Sequence, residues 1–145
     1  MLIMNDEHLF WALPLWRFVI DNGKEMCTLM DFSVMGPFVF HFIKRNYQQA
    51  LWAQGLSRHS RDEIQEIIRK DLEAISRYLG QKPYLMGDTV TEVDCALFGV
   101  LAQFLWALSC SPFRNIIQKD FQNLERYCER IKNTFFSDWD DLLEK

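Results

Sequence analysis

The segment Val90–Leu108, VTEVDCALFGVLAQFLWAL, decides the fold of this 145-residue chain. The helix that its spacing predicts is apolar nearly all round from Val93 onward, with Gln103 as the main polar interruption. Such a helix in a globular protein has to be covered by other helices. We therefore expect a central helix, and we expect a neighbouring helix to approach closely at Gly99, where glycine otherwise weakens the helix.

The start of this helix carries a Thr-x-x-Asp capping box formed by Thr91 and Asp94. A buried helix start needs such a cap, because its first four amides lose their water. Asp94 is also a candidate general base, but capping uses both of its oxygens, and we favour the structural role. We expect the adjacent Cys95 to be a core thiol.

A second helix is predicted over Arg61–Leu79, where isoleucine and leucine recur at every third and fourth position. Ser60 and Glu63 form a capping box at its start, and Gly80 ends it. Asp71 lies on the apolar stripe, where a carboxylate is costly unless it is paired. We expect an ion pair with a basic residue on an adjacent helix rather than a catalytic role.

The remaining periodicity is also helical, which predicts an all-α fold of about six helices. One helix runs from Asp6 to about Ile20, with Pro14 expected to kink or restart it. Another is predicted over Gly36–Gly55, a short one over Ser111–Ile117, and a last one after Asp120. The large aromatic side chains, Trp11, Trp52 and Trp106 among them, are expected in the core, and Trp139 is expected to dock on it.

Length and composition predict one domain that spans residues 1–145. A formal net charge of −4 gives no global attraction for nucleic acid. The apolar runs Leu9–Ile20 and Ala96–Leu108 are too short for a transmembrane helix. Cys27, Cys95, Cys110 and Cys128 follow no disulfide or zinc spacing, and we interpret them as reduced thiols in the cytoplasm.

Candidate sites for chemistry are few. The histidines are not at metal-ligand spacing with a Cys or carboxylate, and phosphate loops and nucleophile elbows are absent from the sequence, so we assign no catalytic, cofactor or metal residue. One basic patch stands out around the Gly55 break and consists of Lys44, Arg45, Arg58 and Arg61, with His59 among them. It is either a site for a phosphate or acidic partner or a solvated rim, and we favour the rim.

Three segments carry a family resemblance. Tyr84–Gly99, with its capping box, resembles the C-terminal helical half of glutathione transferases. Glu7–Trp11 near the start, and Leu124–Ile131 with Phe135–Trp139 near the end, resemble the metaxin-like branch and most closely the failed axon connections family. The resemblance extends from about Asp6 to Asp140, and departs from the family pattern at Pro14 and over Lys24–Met35.

The resemblance implies a glutathione transferase C-terminal-like helical bundle without the thioredoxin-like half that holds glutathione, either as a truncated gene model, an isoform or a helical relic. It implies a non-catalytic domain without a cofactor that acts through protein contacts, by self-association or with a complementary subunit. The alternative is a detoxifying glutathione transferase whose glutathione-binding half is missing here. The implied location is the cytoplasm, or alternatively the cytosolic face of the mitochondrial outer membrane.

Overall fold

The computed structural model describes residues 8–21, 36–108 and 111–139, so the expectations for Cys27 and Cys110 lie outside the described residues. Six helices follow one another in the chain, and no strand occurs in the described ranges. They are α1 (Phe10–Pro14) with a π-helical continuation (Leu15–Ile20), α2 (Gly36–Gln54), α3 (Arg61–Leu79), α4 (Glu92–Ala102) with a π-helical continuation (Gln103–Ala107), α5 (Phe113–Asp120) and α6 (Gln122–Phe135). The predicted all-α bundle is confirmed.

The core is built from large rings where α1, α4 and α5 meet. Trp16 packs edge-on against Phe113, with 4.7 Å between ring centres, and Phe104 lies 4.9 Å from the same ring. All three side chains are fully buried. Leu72 of α3 and Leu124 of α6 extend the core to the remaining helices.

One edge of α4 is exposed, which corrects two expectations. Leu97 and Leu101 are buried, but Cys95 and Gly99 face solvent, so Cys95 is not a core thiol. A Cβ added at Gly99 would meet no atom within 4 Å, and the expected close approach of a helix is wrong. The exposed positions recur four residues apart because the helices that cover α4 leave one narrow stripe open.

Pro14, where we expected a kink or a restart, lies inside a helix that continues past it with a change of geometry. The chain passes from α-helical to π-helical geometry at Leu15, directly after the proline, which has no N–H to donate. Arg17 of this π-helical segment donates hydrogen bonds to Oε1 of Gln103 at 3.0 Å and to the carbonyl of Ala107 at 3.4 Å. The hydrogen bond between Arg17 and Gln103 therefore joins the two π-helical segments. Each of these polar residues lies within one of the two apolar runs of the sequence.

Two helices end directly before a glycine. Gly55, with φ +110°, follows α2, and Gly80, with φ +57°, follows α3, so each takes a backbone conformation that side chains disfavour. The short helix α5 extends beyond Ile117 to Asp120. None of the helices in the described ranges is both long and apolar enough to cross a bilayer.

Candidate functional site

Asp94 is a fully buried carboxylate that joins three parts of the domain. One of its oxygens accepts hydrogen bonds from the N–H and the hydroxyl of Thr91, at 2.9 and 2.8 Å. The other accepts from the N–H of Leu85 at 2.8 Å and from the hydroxyl of Tyr127 at 3.0 Å. The carboxylate thus holds the start of α4, the loop before it and α6 together.

The loop before α4 is shaped to present the Leu85 amide. Tyr84 and Gly87 exchange backbone hydrogen bonds of 3.0 and 3.1 Å, so the chain turns tightly with Leu85 on its inner side. The side chain of Leu85 is fully buried, and its N–H would have no water in that position. Asp94 supplies the acceptor that this turn requires.

The pKa of Asp94 lies below its ordinary range. Burial alone would raise it, but the hydrogen bonds from Leu85, Thr91 and Tyr127 together stabilise the ionised form more strongly. The same arrangement raises the pKa of Tyr127, because burial and the nearby negative charge both oppose loss of its proton. A general base at neutral pH needs the opposite shift for the carboxylate, and Asp94 is suited to structure rather than proton transfer.

The second capping box, Ser60 and Glu63, stands at the surface. The Ser60 hydroxyl accepts from the Glu63 N–H at 3.3 Å, while the Glu63 carboxylate accepts from the Ser60 N–H at 2.8 Å. Both residues are exposed. The hydrogen bonds from Ser60 lower the pKa of Glu63. This box caps α3 and contacts no other helix through these bonds.

The partner of Asp71 is His8, whose Nδ1 lies 2.8 Å from a carboxylate oxygen of Asp71. The expected pairing of Asp71 with a basic side chain from an adjacent helix is confirmed. Burial raises the pKa of Asp71, and the hydrogen bond from His8 acts against that shift. His8 lines a cleft of about 330 Å³ with Arg58 and His59.

The basic patch proposed from sequence is divided between different surroundings. Arg58 lines the cleft beside His8, donates to the carbonyl of Trp52 at 3.0 Å and lies over the Trp52 ring. Arg61 lies over the ring of Trp16. Lys44 and Arg45 lie about ten residues before the end of α2, roughly 15 Å along its axis. Of these four residues only Arg58 lines the cleft.

Neither the described cysteines nor the described acidic and histidine residues form a metal site. Cys128 is buried, and burial raises the pKa of its thiol. Cys95 is exposed. In the described part of the chain, no three His, Cys, Asp or Glu side chains come close enough together to hold a metal ion.

Two surfaces that expose apolar side chains were not located from sequence, and on the first of them polar residues such as Asn46 and Gln49 lie between the exposed rings. The first, the open face of α2, carries Phe42 and Trp52, which are 66% and 60% exposed. The expectation that Trp52 is a core residue is therefore wrong. The opposite side of α2 packs on the first helix, where Tyr47 stacks on Phe18 with 4.5 Å between ring centres. A helix covered on one side only leaves its other aromatic residues in water.

The second surface is a hollow of about 270 Å³ between the start of α4 and the end of α6. We call it the apolar hollow, and its lining consists of Val90, Cys95, Phe98, Ile131, Phe135 and Phe136. Phe98 stacks on Phe136, and Trp139 packs edge-on against both of them. The expected docking of Trp139 on the body of the domain is confirmed.

Sequence reasoning found the cap at Asp94 but missed two of its partners. Tyr127 is 33 positions away, and its only signal was a tyrosine on the core stripe of α6, where a buried hydroxyl needs an acceptor. Leu85 offered no signal, because its amide depends on the turn geometry. The apolar surfaces were missed because periodicity identifies an apolar stripe without showing whether another helix covers it.

The chain is similar to one protein family model and to several known proteins. Residues 68–131, which hold most of α3, all of α4 and α5 and most of α6, match the family model described as glutathione S-transferase, C-terminal domain. Failed axon connections of Drosophila melanogaster is 28% identical over 157 aligned positions, which cover 98% of this chain and 38% of that protein.

Two further relatives differ in how much of the chain they match. Isoprene-epoxide--glutathione S-transferase of Rhodococcus sp. strain AD45 is 30% identical over 138 positions, with 90% of this chain and 57% of that protein covered. Metaxin-2 of Mus musculus is 31% identical over 87 positions, with 60% and 33% covered. The chain thus spans about a third to just over half of the length of these relatives. No solved structure matches the chain.

The family match falls on the helices that surround Asp94, and Thr91, Asp94 and Tyr127 all lie inside it. The similarity to Failed axon connections covers nearly the whole chain, and the similarity to Metaxin-2 covers more than half of it. Residues 68–131 of the chain therefore match a glutathione S-transferase C-terminal domain, and the chain is metaxin-like in sequence, with similarity to Failed axon connections along nearly its whole length.

Proposed function

We propose that this chain is a non-catalytic interaction domain, spanning residues 1–145, whose open face of α2 packs against a second folded domain. The observation that carries the proposal is the exposure of Phe42 and Trp52 on a helix whose other side is packed. Large aromatic residues are enriched where proteins contact one another, and a mixed surface of aromatic and polar side chains is typical of such contacts.

The partner that fits is a thioredoxin-like domain, in the same longer polypeptide or in a complementary subunit. Two facts support it. The relatives are longer than this chain, which leaves room for a further domain in each of them. The resemblance to glutathione transferases also implies this partner, because those proteins carry a thioredoxin-like half beside the helical half. The proposed location is the cytoplasm, with the cytosolic face of the mitochondrial outer membrane as the alternative.

Sedimentation of the chain at micromolar concentration tests the proposal. In the absence of the second domain, we expect self-association through the open face of α2, and we expect Phe42→Glu to shift the chain toward monomer. Phe135→Glu is the matched control, since Phe135 is 52% exposed but lies on α6. A monomeric wild-type chain that binds no hydrophobic dye, or dissociation by Phe135→Glu alone, contradicts the proposal.

The second candidate function is that of a detoxifying glutathione transferase, with the apolar hollow as the place for an electrophile. Its support is the wholly apolar lining of the hollow and the similarity to Isoprene-epoxide--glutathione S-transferase. Calorimetry with glutathione separates the two candidates. Saturable binding below millimolar concentration favours the enzyme, and its absence favours the interaction domain.

A further inference from the structure

A basic cleft lies where the end of α3, the loop that follows it and α6 come together. Its volume is about 190 Å³. Its charged lining consists of Lys82 from the loop and Arg126 and Arg130 from α6. These residues are 44 and 4 positions apart, so the cluster is created by folding and is not a charge run in the sequence.

Two of the three cations are held in place by the loop itself. The Lys82 ammonium donates to the carbonyl of Leu85 at 2.8 Å and lies 3.9 Å from the centre of the Tyr78 ring. The Arg130 guanidinium donates to the carbonyl of Pro83 at 2.8 Å. The loop that Asp94 anchors through Leu85 therefore also positions these charges.

The cluster lacks a neutralising carboxylate among the described residues. Among the described residues, the lysine and arginine side chains that form ion pairs are Arg69, Lys70 and Arg77, and not Lys82, Arg126 or Arg130. Glu125 and Glu129 are the nearest acidic residues along α6, and Glu125 accepts a hydrogen bond from Gln118 instead.

Like charges four residues apart on a helix, such as Arg126 and Arg130, repel each other and destabilise it. An anion bound between the two arginines lowers this repulsion. The volume of the cleft is below that of pockets for drug-sized molecules, which begin at about 300 Å³. Guanidinium and ammonium groups together are the usual ligands of a phosphate group.

We propose that the basic cleft binds a phosphate group, carried by a small phosphorylated molecule or by a phospholipid head group. This site is separate from the open face of α2 and does not depend on the function proposed above.

The first test is titration of the full chain with inorganic phosphate, followed by calorimetry at constant ionic strength. We expect saturable binding that Arg126→Gln weakens by about tenfold, the loss of one charge-assisted hydrogen bond. Arg126 is exposed, and its replacement leaves the Lys82 and Arg130 hydrogen bonds intact. Arg114→Gln, which removes an exposed arginine from α5, is the matched control and should bind phosphate as the wild type does.

The second test separates the two sources of phosphate. It compares phosphatidylcholine vesicles that contain phosphatidic acid with vesicles that contain phosphatidylglycerol. Binding to phosphatidic acid alone, competed by inorganic phosphate and lost in Arg126→Gln, assigns the site to a lipid head group. Phosphate binding without vesicle binding assigns it to a soluble phosphorylated molecule. Absence of saturable phosphate binding, or equal loss in Arg126→Gln and Arg114→Gln, overturns the proposal.

Discussion

The two capping boxes of this domain have the same kind of sequence and different surroundings. Thr91 and Asp94 form the buried box, whose carboxylate also reaches a loop and another helix. Ser60 and Glu63 form the exposed box, whose carboxylate accepts from Ser60, lies 3.9 Å from Nδ1 of His59 just before the helix, and faces water. The motif predicts a helix start in both places, while burial determines how much of the fold depends on it.

The largest expected effect is that of Asp94→Ala. The substitution leaves the N–H groups of Leu85 and Thr91 without their acceptor and leaves the Tyr127 hydroxyl only the backbone carbonyl of residue 94, at 3.3 Å. We therefore expect the free energy of unfolding to fall by about 3–5 kcal/mol. Urea unfolding at neutral pH measures it. Glu92→Ala is the control, because Glu92 is an exposed carboxylate on the same helical turn. If both variants lose the same stability, the special position of the buried box is disproved.

Tyr127→Phe removes one of the four hydrogen bonds to the Asp94 carboxylate and keeps the ring in the core. We expect a loss of about 1–2 kcal/mol in the free energy of unfolding, since the carboxylate loses one hydrogen bond but remains held by the others. Tyr47→Phe is the comparison, because Tyr47 is only half-buried and packs through its ring. If Tyr127→Phe unfolds with the same free energy as the wild type, the hydrogen bond from Tyr127 of α6 to Asp94 of α4 contributes nothing to stability.

Ser60→Ala tests the exposed box. The loss of one cap at a solvated helix end typically costs about 1 kcal/mol, because water replaces the missing acceptor. The same unfolding experiment measures it. A loss as large as that of Asp94→Ala would mean that burial does not separate the two boxes.

The smallest effect is expected at the open edge of α4, one turn beyond the buried box. Gly99→Ala should stabilise the protein by up to about 1 kcal/mol, because alanine favours the helix and the added Cβ meets open space. Thermal unfolding checks the sign. Destabilisation would show that a neighbouring group approaches Gly99 after all.

The fold was predictable because the boundaries rest on local signals. Ser60, Gly80 and Thr91 each mark a helix end that depends on neighbouring residues alone. The pairing of Asp71 was also predictable, since a carboxylate on an apolar stripe needs a partner, but its identity as His8 depends on how the first helix packs on α3.

The surfaces were less accessible to prediction. Periodicity marked Trp52, Cys95 and Gly99 as interior positions, and all three are exposed because no described helix covers them. The basic cleft was even less predictable from sequence, since Lys82 and Arg130 come together only when the loop and α6 have packed against each other. Patterns in one segment report its own helix, and they do not report which sides of that helix remain open.

The two buried carboxylates change the free energy of unfolding in opposite directions as the pH falls. The lowered pKa of Asp94 means that its contribution is complete above the ordinary carboxyl value of about 3.9 and is lost as the pH falls through the folded-state pKa. The raised pKa of Asp71 acts in the other direction, because the folded state takes up that proton more readily. Asp94→Asn isolates the Asp94 contribution, and the difference from wild type should shrink in acid.

The most direct test of the structural role of Asp94 is an NMR titration of its side-chain carboxyl carbon in the folded wild-type chain. We predict a pKa below that of an ordinary aspartate, as four hydrogen bonds to the ionised form require. A pKa raised toward neutrality would contradict this account and would make Asp94 a candidate base.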